Sequence, residues 1–318
     1  MVSPNIQVVG DSKASAGAEG ESGAEGDGGD TVSAIDWVVL TMGDRPDGLA
    51  AALASIEAQE SGADRAVIVL NGCHADVLDD HVRERHDVVE LPTNIGVSAG
   101  RDVGLGSTTA ALVGFLDDDA RLLGSVTDQI RAAFDADDRL AVVSLRMVDE
   151  DGETDRHHAP RPGSKPTEEA GDVALFVGGA AVFRRDAYVD VGGYFLDLVY
   201  GHEEVELCWR LVDAGWRITY LADLELFHPR MELSQRPRGW WLTGRNRVWV
   251  ARRTLPWPVA ILNVGAWLVL GIQRAPKGEC RRSYFAGWRA GWGGTIARNP
   301  ISWGGVWRLT RLGRPPII

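Results

Sequence analysis

The residues best suited to chemistry include three adjacent aspartates, Asp117, Asp118 and Asp119, which directly follow the apolar run 110–116. Adjacent carboxylates repel one another unless solvent or a cation compensates their charge. A hard divalent cation such as Mg²⁺ or Mn²⁺ takes oxygen ligands and also bridges to phosphate oxygens. This cluster therefore indicates a metal and phosphate site, and a solvated acidic turn is the plainer alternative.

A second acidic cluster opens a stretch with helical periodicity. His202 is followed by Glu203, Glu204 and Glu206, and a helical rise places Glu203 and Glu206 on one face, with Glu204 turned by about 100°. One of these carboxylates could act as a general base while another anchors the helix or an acceptor hydroxyl. The alternative is a solvated first turn stabilised by the helix macrodipole. The later His228, at a strand end, is by itself more often structural than a ligand.

A third candidate is the segment 94–102, which reads Asn-Ile-Gly-Val-Ser-Ala-Gly-Arg-Asp. Its glycines permit close approach of the backbone, and the helix start after them can receive an anion. Arg101 can pair with a phosphate or a carboxylate. The glycine pattern alone is weakly specific.

Short apolar runs alternate with segments of helical periodicity. The strands and helices that these patterns predict must position the residues above. Strands are predicted over 37–40, 66–70, 88–91, 110–116, 140–145 and 216–221, and helices over 47–59, 98–105 and 202–211. This alternation predicts an α/β domain with a mainly parallel sheet. Ligands of such sheets bind beyond the carboxyl ends of the strands, where the polar clusters above lie. The polar segment 149–171 predicts a mobile surface loop.

Length and composition fit an ordinary globular chain. The 318 residues are 45% hydrophobic and 25% charged, which excludes collagen-like, fully disordered and multi-span membrane proteins. Cys73, Cys208 and Cys280 are widely spaced and odd in number, so they indicate neither a disulfide framework nor a cysteine zinc site. With no secretory signal visible in the first residues, we expect a cytoplasmic location.

Positive and negative charges are distributed unequally along the chain. Residues 237–318 contain fourteen Lys or Arg and one acid, a net charge of +13, whereas residues 1–236 carry −25. The same 237–318 tail holds nine of the twelve tryptophans. Such asymmetry indicates an anionic partner. No nucleic-acid recognition pattern accompanies it, so we predict no nucleic-acid binding and favour a helix lying in an anionic membrane surface. The alternative is a set of helices packed on the catalytic domain.

The chain is expected to have three parts. Residues 1–33 are acidic and rich in Gly, Ser and Ala, a composition that predicts disorder. Residues 34–236 form the α/β domain. Residues 237–318 form a basic helical extension whose apolar run, 255–272, falls just short of the roughly 20 residues that a membrane-spanning helix needs.

Taken in order, the motifs resemble those of the family 2 inverting glycosyltransferases. They are Asp44-Arg45-Pro46, Asn71-Gly72, Asn94-x-Gly96, Gly100-Arg101-Asp102, Phe115-Leu116 with the three aspartates, Gly178-Gly179-Ala180, Gly192-Gly193, Glu203-Glu204-Val-Glu206-Leu-x-Trp-Arg and His228-Pro229. The resemblance covers roughly 35–230 and rests on the order and spacing of the motifs. It implies the GT-A fold, an α/β, Rossmann-like domain with a mainly parallel central sheet flanked by helices, here followed by a C-terminal helical extension.

The resemblance also implies an activity, which is transfer of a sugar from a nucleotide-diphosphate sugar to an acceptor hydroxyl with inversion. The acceptor would be a glycan or a lipid-linked molecule in the synthesis of cell-envelope glycan, glycolipid or polysaccharide, as in actinobacterial enzymes, at the inner face of the plasma membrane. Two other classes stay open. One is a non-catalytic nucleotide-sugar-binding module, and the other is a nucleotidyltransferase, in which Glu203 to Glu206 and His228 have no clear place.

Roles for individual residues follow from the same resemblance. Asp117 and Asp119 match the metal-binding Asp-x-Asp for Mn²⁺ or Mg²⁺, and His228 matches a histidine that completes the metal shell in some members. The implied donor-binding residues are Thr41, Asp44, Asn71, Arg101, Asp117 and Asp118. Glu204 matches the general base, and Glu203 is its competitor.

The sequence departs from the family pattern in two places. Leu70 stands where an aspartate is usual, so base recognition must be altered or supplied by Asn71. Glutamate replaces the usual aspartate at 204 and 206, which adds a methylene to each side chain.

Overall fold

The structure is a computed structural model that describes residues 7–9, 34–59, 64–156, 158–160, 165–230 and 236–317. Its strands over these residues are β1 (Gln7–Val9), β2 (Ile35–Thr41), β3 (Arg65–Asn71), β4 (Asp87–Leu91), β5 (Leu112–Asp117), β6 (Arg121–Leu122), β7 (Leu140–Val148), β8 (Gly171–Asp172), β9 (Ala180–Arg184) and β10 (Arg217–Phe227). Its helices are α1 (Pro46–Glu57), α2 (Asp80–Arg85), α3 (Val97–Gly106), α4 (Thr127–Asp135), α5 (Arg185–Asp190), α6 (Glu203–Asp213), α7 (Pro237–Thr254), α8 (Trp257–Arg274), α9 (Glu279–Ala290) and α10 (Trp303–Arg311). Short 3₁₀ turns lie at Ala75–Val77 and Leu196–Leu198.

One sheet runs through the α/β domain in the order β1-β4-β3-β2-β5-β9-β7-β10-β6, with β8 beside β10. The pairs β4-β3, β3-β2 and β2-β5 are parallel, as is β7-β10. The α/β prediction is therefore confirmed. The sheet becomes mixed at β9, which is antiparallel to both β5 and β7. No helix is described between β7 and β9, so no helical crossover returns the chain in the parallel direction there.

Strand β2 shows why the apolar runs are continuous. Trp37 and Val39 are buried in the hydrophobic cluster under α1 and α4, whereas Val38 is buried in the cluster on the other face. Successive side chains of a strand point to opposite faces, and both faces of this sheet are covered. Apolar side chains on both faces hold the strand in register, so that its polar last residue, Thr41, comes to the sheet edge.

The C-terminal helices pack on the α/β domain. Val248 and Val250 of α7 and Val264 of α8 are buried in the same cluster as Phe183 and Leu207. No helix in the described ranges combines the length and the apolar character that crossing a membrane requires. The run 255–272 thus contributes one face to the protein core, which was the alternative arrangement in the sequence analysis. Binding of its outer face to a membrane stays a prediction.

Close contact between α7 and α9 depends on two glycines. A Cβ at Gly244 would collide with the Tyr284 carbonyl, and a Cβ at Gly287 would collide with the Trp241 carbonyl. The two backbones therefore approach more closely than larger residues would allow.

At the N-terminus, the structure describes only Gln7–Val9 within the predicted disordered segment 1–33. These three residues form β1, which pairs antiparallel with β4, and the disorder of the segment 1–33 as a whole stays a prediction. Val8 and Val9 are β-branched, and the edge of β4 offers unpaired backbone groups. The other residues of 1–33 lie outside the described ranges.

Candidate active site

The ends of three neighbouring parallel strands bring predicted site residues to one edge of the sheet. Thr41 ends β2, Asn71 ends β3 and Asp117 ends β5. Thr41 Oγ1 donates a hydrogen bond of 2.7 Å to Oδ2 of Asp118. A parallel sheet places strand ends together in this way, so residues 77 positions apart become neighbours.

Arg45 lies over the same edge, just before α1. Its Nη1 donates to Asp118 Oδ1 at 3.2 Å and to Asp119 Oδ2 at 2.5 Å. Burial raises the pKa of Asp118, while the hydrogen bond from Thr41 and the charge of Arg45 act in the opposite direction. The aspartates are thus partly compensated by protein groups.

His228, at the end of β10, approaches the outer two aspartates. Its Nε2 lies 3.4 Å from Asp119 Oδ1 and 3.9 Å from Asp117 Oδ2. Its Nδ1 lies 2.7 Å from the carbonyl oxygen of Pro229, so Nδ1 carries a proton and donates it. Nε2 therefore faces two carboxylates, an arrangement that is favourable when a proton or a cation lies between them.

These residues fit the donor set of a divalent metal. Two carboxylates and an imidazole suit Mn²⁺ or Mg²⁺, and the hydrogen bond at Nδ1 fixes the ring as a metal-binding histidine requires. In the part of the chain that the structure describes, no three His, Cys, Asp or Glu side chains are already close enough together to enclose an ion. Metal binding would therefore draw the three side chains closer together.

Arg101 connects the two acidic clusters. It lies on α3 and is buried, with Nη2 donating to Asp117 Oδ1 at 2.6 Å and Nη1 3.8 Å from Glu204 Oε1. Burial, the largest single influence, lowers its pKa, but the surrounding groups, led by Asp117 and including Glu204 and Glu203, together outweigh it, so the pKa of Arg101 is raised. The predicted strand-end cluster and the predicted helix cluster therefore share one cation and form one site.

Two glycines make room for these contacts. A Cβ at Gly178 would collide with Glu204 Oε1 and Arg101 Nη1, and a Cβ at Gly179 would collide with the Asp117 carboxylate. The Gly178-Gly179 pair therefore lies against both acidic clusters, and only residues without a side chain fit between them.

The three glutamates of α6 differ in their surroundings. Glu206 is fully buried and accepts hydrogen bonds from Arg210, Arg253 and Thr254. Glu203 is also buried, as expected for two residues on one helical face. Glu204 keeps 23% of its side-chain surface exposed and faces Arg101. Glu206 is structural, and Glu204 is the carboxylate open to a ligand.

Glu203 carries a buried oxygen without a partner. Its Oε2 makes no hydrogen bond to any described residue, and burial, assisted by the charge of Glu204, raises the pKa of Glu203 to about 8. Burial also raises the pKa of Glu204, and Arg101 opposes this. At pH 7 most of the Glu203 population is therefore protonated.

The loop before α6 is strained. Val199 and His202 have φ values of +59° and +75°, a left-handed region that residues other than glycine rarely occupy. Asn246 of α7 holds this loop, because its amide nitrogen lies 2.8 to 3.0 Å from the carbonyl oxygens of Leu198, Tyr200 and Gly201. The C-terminal extension thus fixes the entry to the helix that carries the glutamates.

Two of the residues predicted to bind the sugar donor, Asn71 and Asp44, have less direct support from the structure. The side chain of Asn71 donates to Asn94 Oδ1 and the Gly96 carbonyl and accepts from Ile95 N–H, so it orders the loop before α3. Asp44 is exposed at the edge, and its side chain makes no hydrogen bond within the described ranges. Their contact with a nucleotide stays a prediction.

The motifs in the sequence predict no individual role for Arg45 or Asn246. Arg45 stands in the Asp-Arg-Pro motif, so its position beside Asp44 was an available signal. Asn246 gives no such signal, because its role arises only when a helix from the C-terminal extension packs against the loop before α6.

The model of the family described as glycosyl transferase family 2 matches residues 37–192. Residues 37–192 are a family 2 glycosyltransferase domain. The match includes the three strand ends, Arg101, the aspartate cluster and the Gly178-Gly179 pair, and it ends before α6.

A curated relative is similar to part of the chain. The "Pre-mycofactocin glycosyltransferase" of Mycobacterium tuberculosis is 29% identical over 168 residues. The match covers 49% of this chain and 35% of the relative, so it spans about a third of the relative's length.

Solved structures show that the chain has a GT-A fold. GalNAc-T7, solved with UDP, GalNAc and Mn²⁺, matches with a TM-score of 0.60 and 12% identity, covering 82% of this chain and 56% of that one. The mannosyltransferase PcManGT of Pyrobaculum calidifontis, in complex with GDP-Man and Mn²⁺, matches with a TM-score of 0.51 and 14% identity, covering 88% and 72%. TarS 1-349 of S. aureus matches with a TM-score of 0.50 and 16% identity, covering 80% and 70%.

Proposed function

We propose that the protein transfers a sugar from a nucleotide-diphosphate sugar to an acceptor hydroxyl with inversion of the anomeric configuration. The observation that carries the proposal is the single site in which Arg101 joins Asp117 of the strand end to Glu204 of α6. The names of the relative and of the structural neighbours support the class of reaction, and UDP and GDP-Man in those neighbours support a nucleotide-diphosphate donor.

In the proposed reaction, Glu204 takes the proton of the acceptor hydroxyl. The acceptor oxygen forms a bond to the anomeric carbon while the bond from that carbon to the diphosphate breaks, and the diphosphate leaves with the electron pair. One displacement inverts the configuration and needs no covalent enzyme intermediate. Arg101 and Arg45 lie where they can stabilise the negative charge of the departing group.

Asp117, Asp119 and His228 are the residues that would hold Mn²⁺ or Mg²⁺, an assignment supported by the approach of His228 Nε2 to the two carboxylates. A bound divalent ion supplies Lewis-acid stabilisation of phosphate oxygens. Two structural neighbours contain Mn²⁺. Thr41 and Asp118 would bind the donor beside this site, with Asp44 and Asn71 at its nucleotide end.

Glu204 is preferred over Glu203 as the base because an acceptor can reach it. Glu203 is 3% exposed, and its pKa of about 8 leaves it mostly protonated at pH 7. A protonated carboxyl group cannot accept the hydroxyl proton. Glu203 is better suited to modify the electrostatic environment of Glu204 than to act as the base.

A thermal-shift screen of nucleoside diphosphates, each with and without Mn²⁺, tests the proposal first. We expect one nucleoside diphosphate to stabilise the protein in a metal-dependent manner, because ligand binding to the native state raises the melting temperature. Slow hydrolysis of the matching nucleotide sugar, with release of the nucleoside diphosphate, distinguishes an enzyme from a binding module. Release of pyrophosphate from a nucleoside triphosphate and a sugar phosphate would instead identify a nucleotidyltransferase.

A second proposal concerns location. We infer that residues 237–318 bind an anionic membrane at the inner face of the plasma membrane, where the protein would serve synthesis of cell-envelope glycan, glycolipid or polysaccharide. Exposed apolar side chains among many cations support this. They are Trp257, Ile261, Leu262, Val269, Phe285, Trp292, Trp303 and Trp307. Aromatic rings and cations both suit the headgroup region.

Sedimentation with anionic liposomes tests the location. We expect the intact protein to sediment with them and the Trp303→Ser, Trp307→Ser double variant to bind less, since both rings are more than 60% exposed. Val189→Ser removes an apolar side chain of α5 that is 61% exposed outside the extension, and it serves as the control. Equal sedimentation of all three proteins would contradict the proposal.

A further inference from the structure

A cavity of about 410 Å³ lies between α6 and the C-terminal extension. Trp209 and Val205 of α6 and Trp267 of α8 line it, together with Leu175. This part of its wall is therefore apolar and aromatic. A cavity of this size accommodates a ligand of several heavy atoms.

Cations line this cavity, and none of the described residues around it is an aspartate or glutamate. The guanidinium carbon of Arg247 lies 3.2 Å from the ring centroid of Trp267, and that of Arg274 lies 4.9 Å from the same centroid. Within the described residues Arg247 makes no hydrogen bond or ion pair, so its ring contact is its main compensation. A charge withdrawn from water without a counter-charge is costly.

The electrostatics of two lining residues reflect this lack of an anion. Burial lowers the pKa of Arg247 to about 9, and the neighbouring charge of Arg274 acts in the same direction. His202, also in the wall, has a buried Nδ1 with no hydrogen-bond partner among the described residues. Burial and the charge of Arg247 lower the pKa of His202 well below its usual value. Two polar side chains therefore lack the partner that an anion would provide.

The cavity adjoins the candidate active site. His202 directly precedes Glu203, and His202 and Val205 lie on the face of α6 that lines the cavity. On another wall, Ala159 follows His158, whose ring centroid lies 6.0 Å from that of His228. A ligand in the cavity would thus contact the helix that carries the proposed base.

We propose that this cavity binds the phosphate group of an acceptor that carries an apolar chain. Arg247 and Arg274 hold the phosphate, because guanidinium groups match its oxygens with paired hydrogen bonds, and the rings of Trp209 and Trp267 contact the chain. The role as acceptor rests on the proposed function, whereas the binding of the phosphate does not.

Calorimetric titration of the full chain with decyl phosphate, below its micelle concentration, tests the proposal. We expect one molecule to bind, with inorganic phosphate and decanol each at least about tenfold weaker, because each retains only half of the recognised chemistry. Inorganic phosphate as tight as decyl phosphate would overturn the role of the aromatic walls. Decanol as tight as decyl phosphate would overturn the role of the arginines.

Variants locate the binding. Arg247→Gln and Arg274→Gln should each weaken decyl phosphate at least about tenfold, the effect of losing a charge-assisted hydrogen bond. Arg282→Gln, which removes an exposed cation of α9 outside the cavity, is the matched control and should bind as the wild type does. Unchanged affinity in both cavity variants would overturn the proposal.

Thermal unfolding of Arg247→Gln without ligand adds an independent readout. Since the charge of Arg247 lacks a counter-charge, its removal should raise the melting temperature, as is common where residues are selected for binding rather than stability. A clear fall would assign Arg247 a structural role and overturn the proposal. Nucleoside-diphosphate binding should not change in these variants. If no variant bound a nucleoside diphosphate, that result would contradict the proposed function. The decyl phosphate titration would still decide whether the cavity binds a phosphate group.

Discussion

The two acidic clusters of this protein both consist of carboxylate side chains, but their electrostatic surroundings are opposite. At the end of β5, the aspartates face cations, with Arg45 at Asp119 and Arg101 at Asp117, and Nε2 of His228 lies close to Asp119 and Asp117. On α6, Glu203 has a buried oxygen without a partner and a pKa of about 8. The first cluster is arranged to keep charge and attract a cation, and the second is arranged to hold or accept a proton.

The difference follows from where the backbone presents each cluster. A strand end opens onto the ligand edge of the sheet, where helices and loops can bring cations from several directions. A helix packed on the core buries the residues of one face. In the first turn of α6, Glu203 and Glu206 lie on that face and are withdrawn from water, while Glu204 lies on another face and keeps access to the site. Metal binding and proton transfer therefore depend on different residues, and substitutions can separate them.

The largest effect is expected at the strand end. Asp119→Ala should reduce nucleotide-sugar turnover about 10³-fold, because loss of a metal-binding carboxylate removes several kcal/mol of stabilisation from the departing diphosphate. Steady-state kinetics with varied Mn²⁺ is the measurement. Glu84→Gln, which changes an exposed carboxylate of α2, is the control and should behave as the wild type does. Retained turnover in Asp119→Ala would remove the basis for the metal assignment.

A comparable but separable loss is expected on α6. Glu204→Gln should lower the transfer rate by about 10²-fold, the lower end of the usual contribution of a general base, while Mn²⁺-dependent binding of the nucleoside diphosphate persists. Transfer assays and thermal-shift titration measure the two properties in one preparation. If Glu203→Gln lost transfer and Glu204→Gln did not, the assignment of the base would be reversed.

Gly179→Ala should damage the strand-end cluster without removing any of its groups. Its Cβ would collide with the Asp117 carboxylate, and a displacement of about 1 Å in a positioned group can cost about 10²-fold in rate. Gly265→Ala is the matched control, since a Cβ there meets no atom within 4 Å. Circular dichroism confirms folding of both variants. Equal rates in the two variants would show that the site tolerates the displacement.

Much of the site was predictable because the strands are buried on both faces. Continuous apolar runs marked where β2, β3 and β5 end, and this was sufficient to bring Thr41, Asn71 and Asp117 to one edge. The antiparallel direction of β9 was not predictable, because an apolar run of five or six residues has the same pattern in either direction.

Long-range packing accounts for the rest. The contacts of Asn246 with the loop before α6 and the cavity around Arg247 exist only because α7 and α8 pack on the α/β domain. Local periodicity predicted these helices but not the face that each one buries. The basic composition of residues 237–318 could be explained by a membrane surface alone, whereas the structure directs Arg247 inward.

The smallest effect tests the proton-holding character of α6 through stability. Burial raises the pKa of Glu203 from 4.5 to about 8, so between these pH values the folded protein holds a proton that the unfolded chain has released. Because the folded state then binds more protons, stability falls as pH rises through this window. The melting temperature of Glu203→Gln should therefore fall less steeply from pH 5 to pH 8 than that of the wild type. Some slope should persist, since burial also raises the pKa values of Glu204 and Asp118. Glu84→Gln should keep the wild-type slope, and a slope in Glu203→Gln equal to it would mean that Glu203 is ionised in the folded protein and that the two acidic clusters hold charge alike.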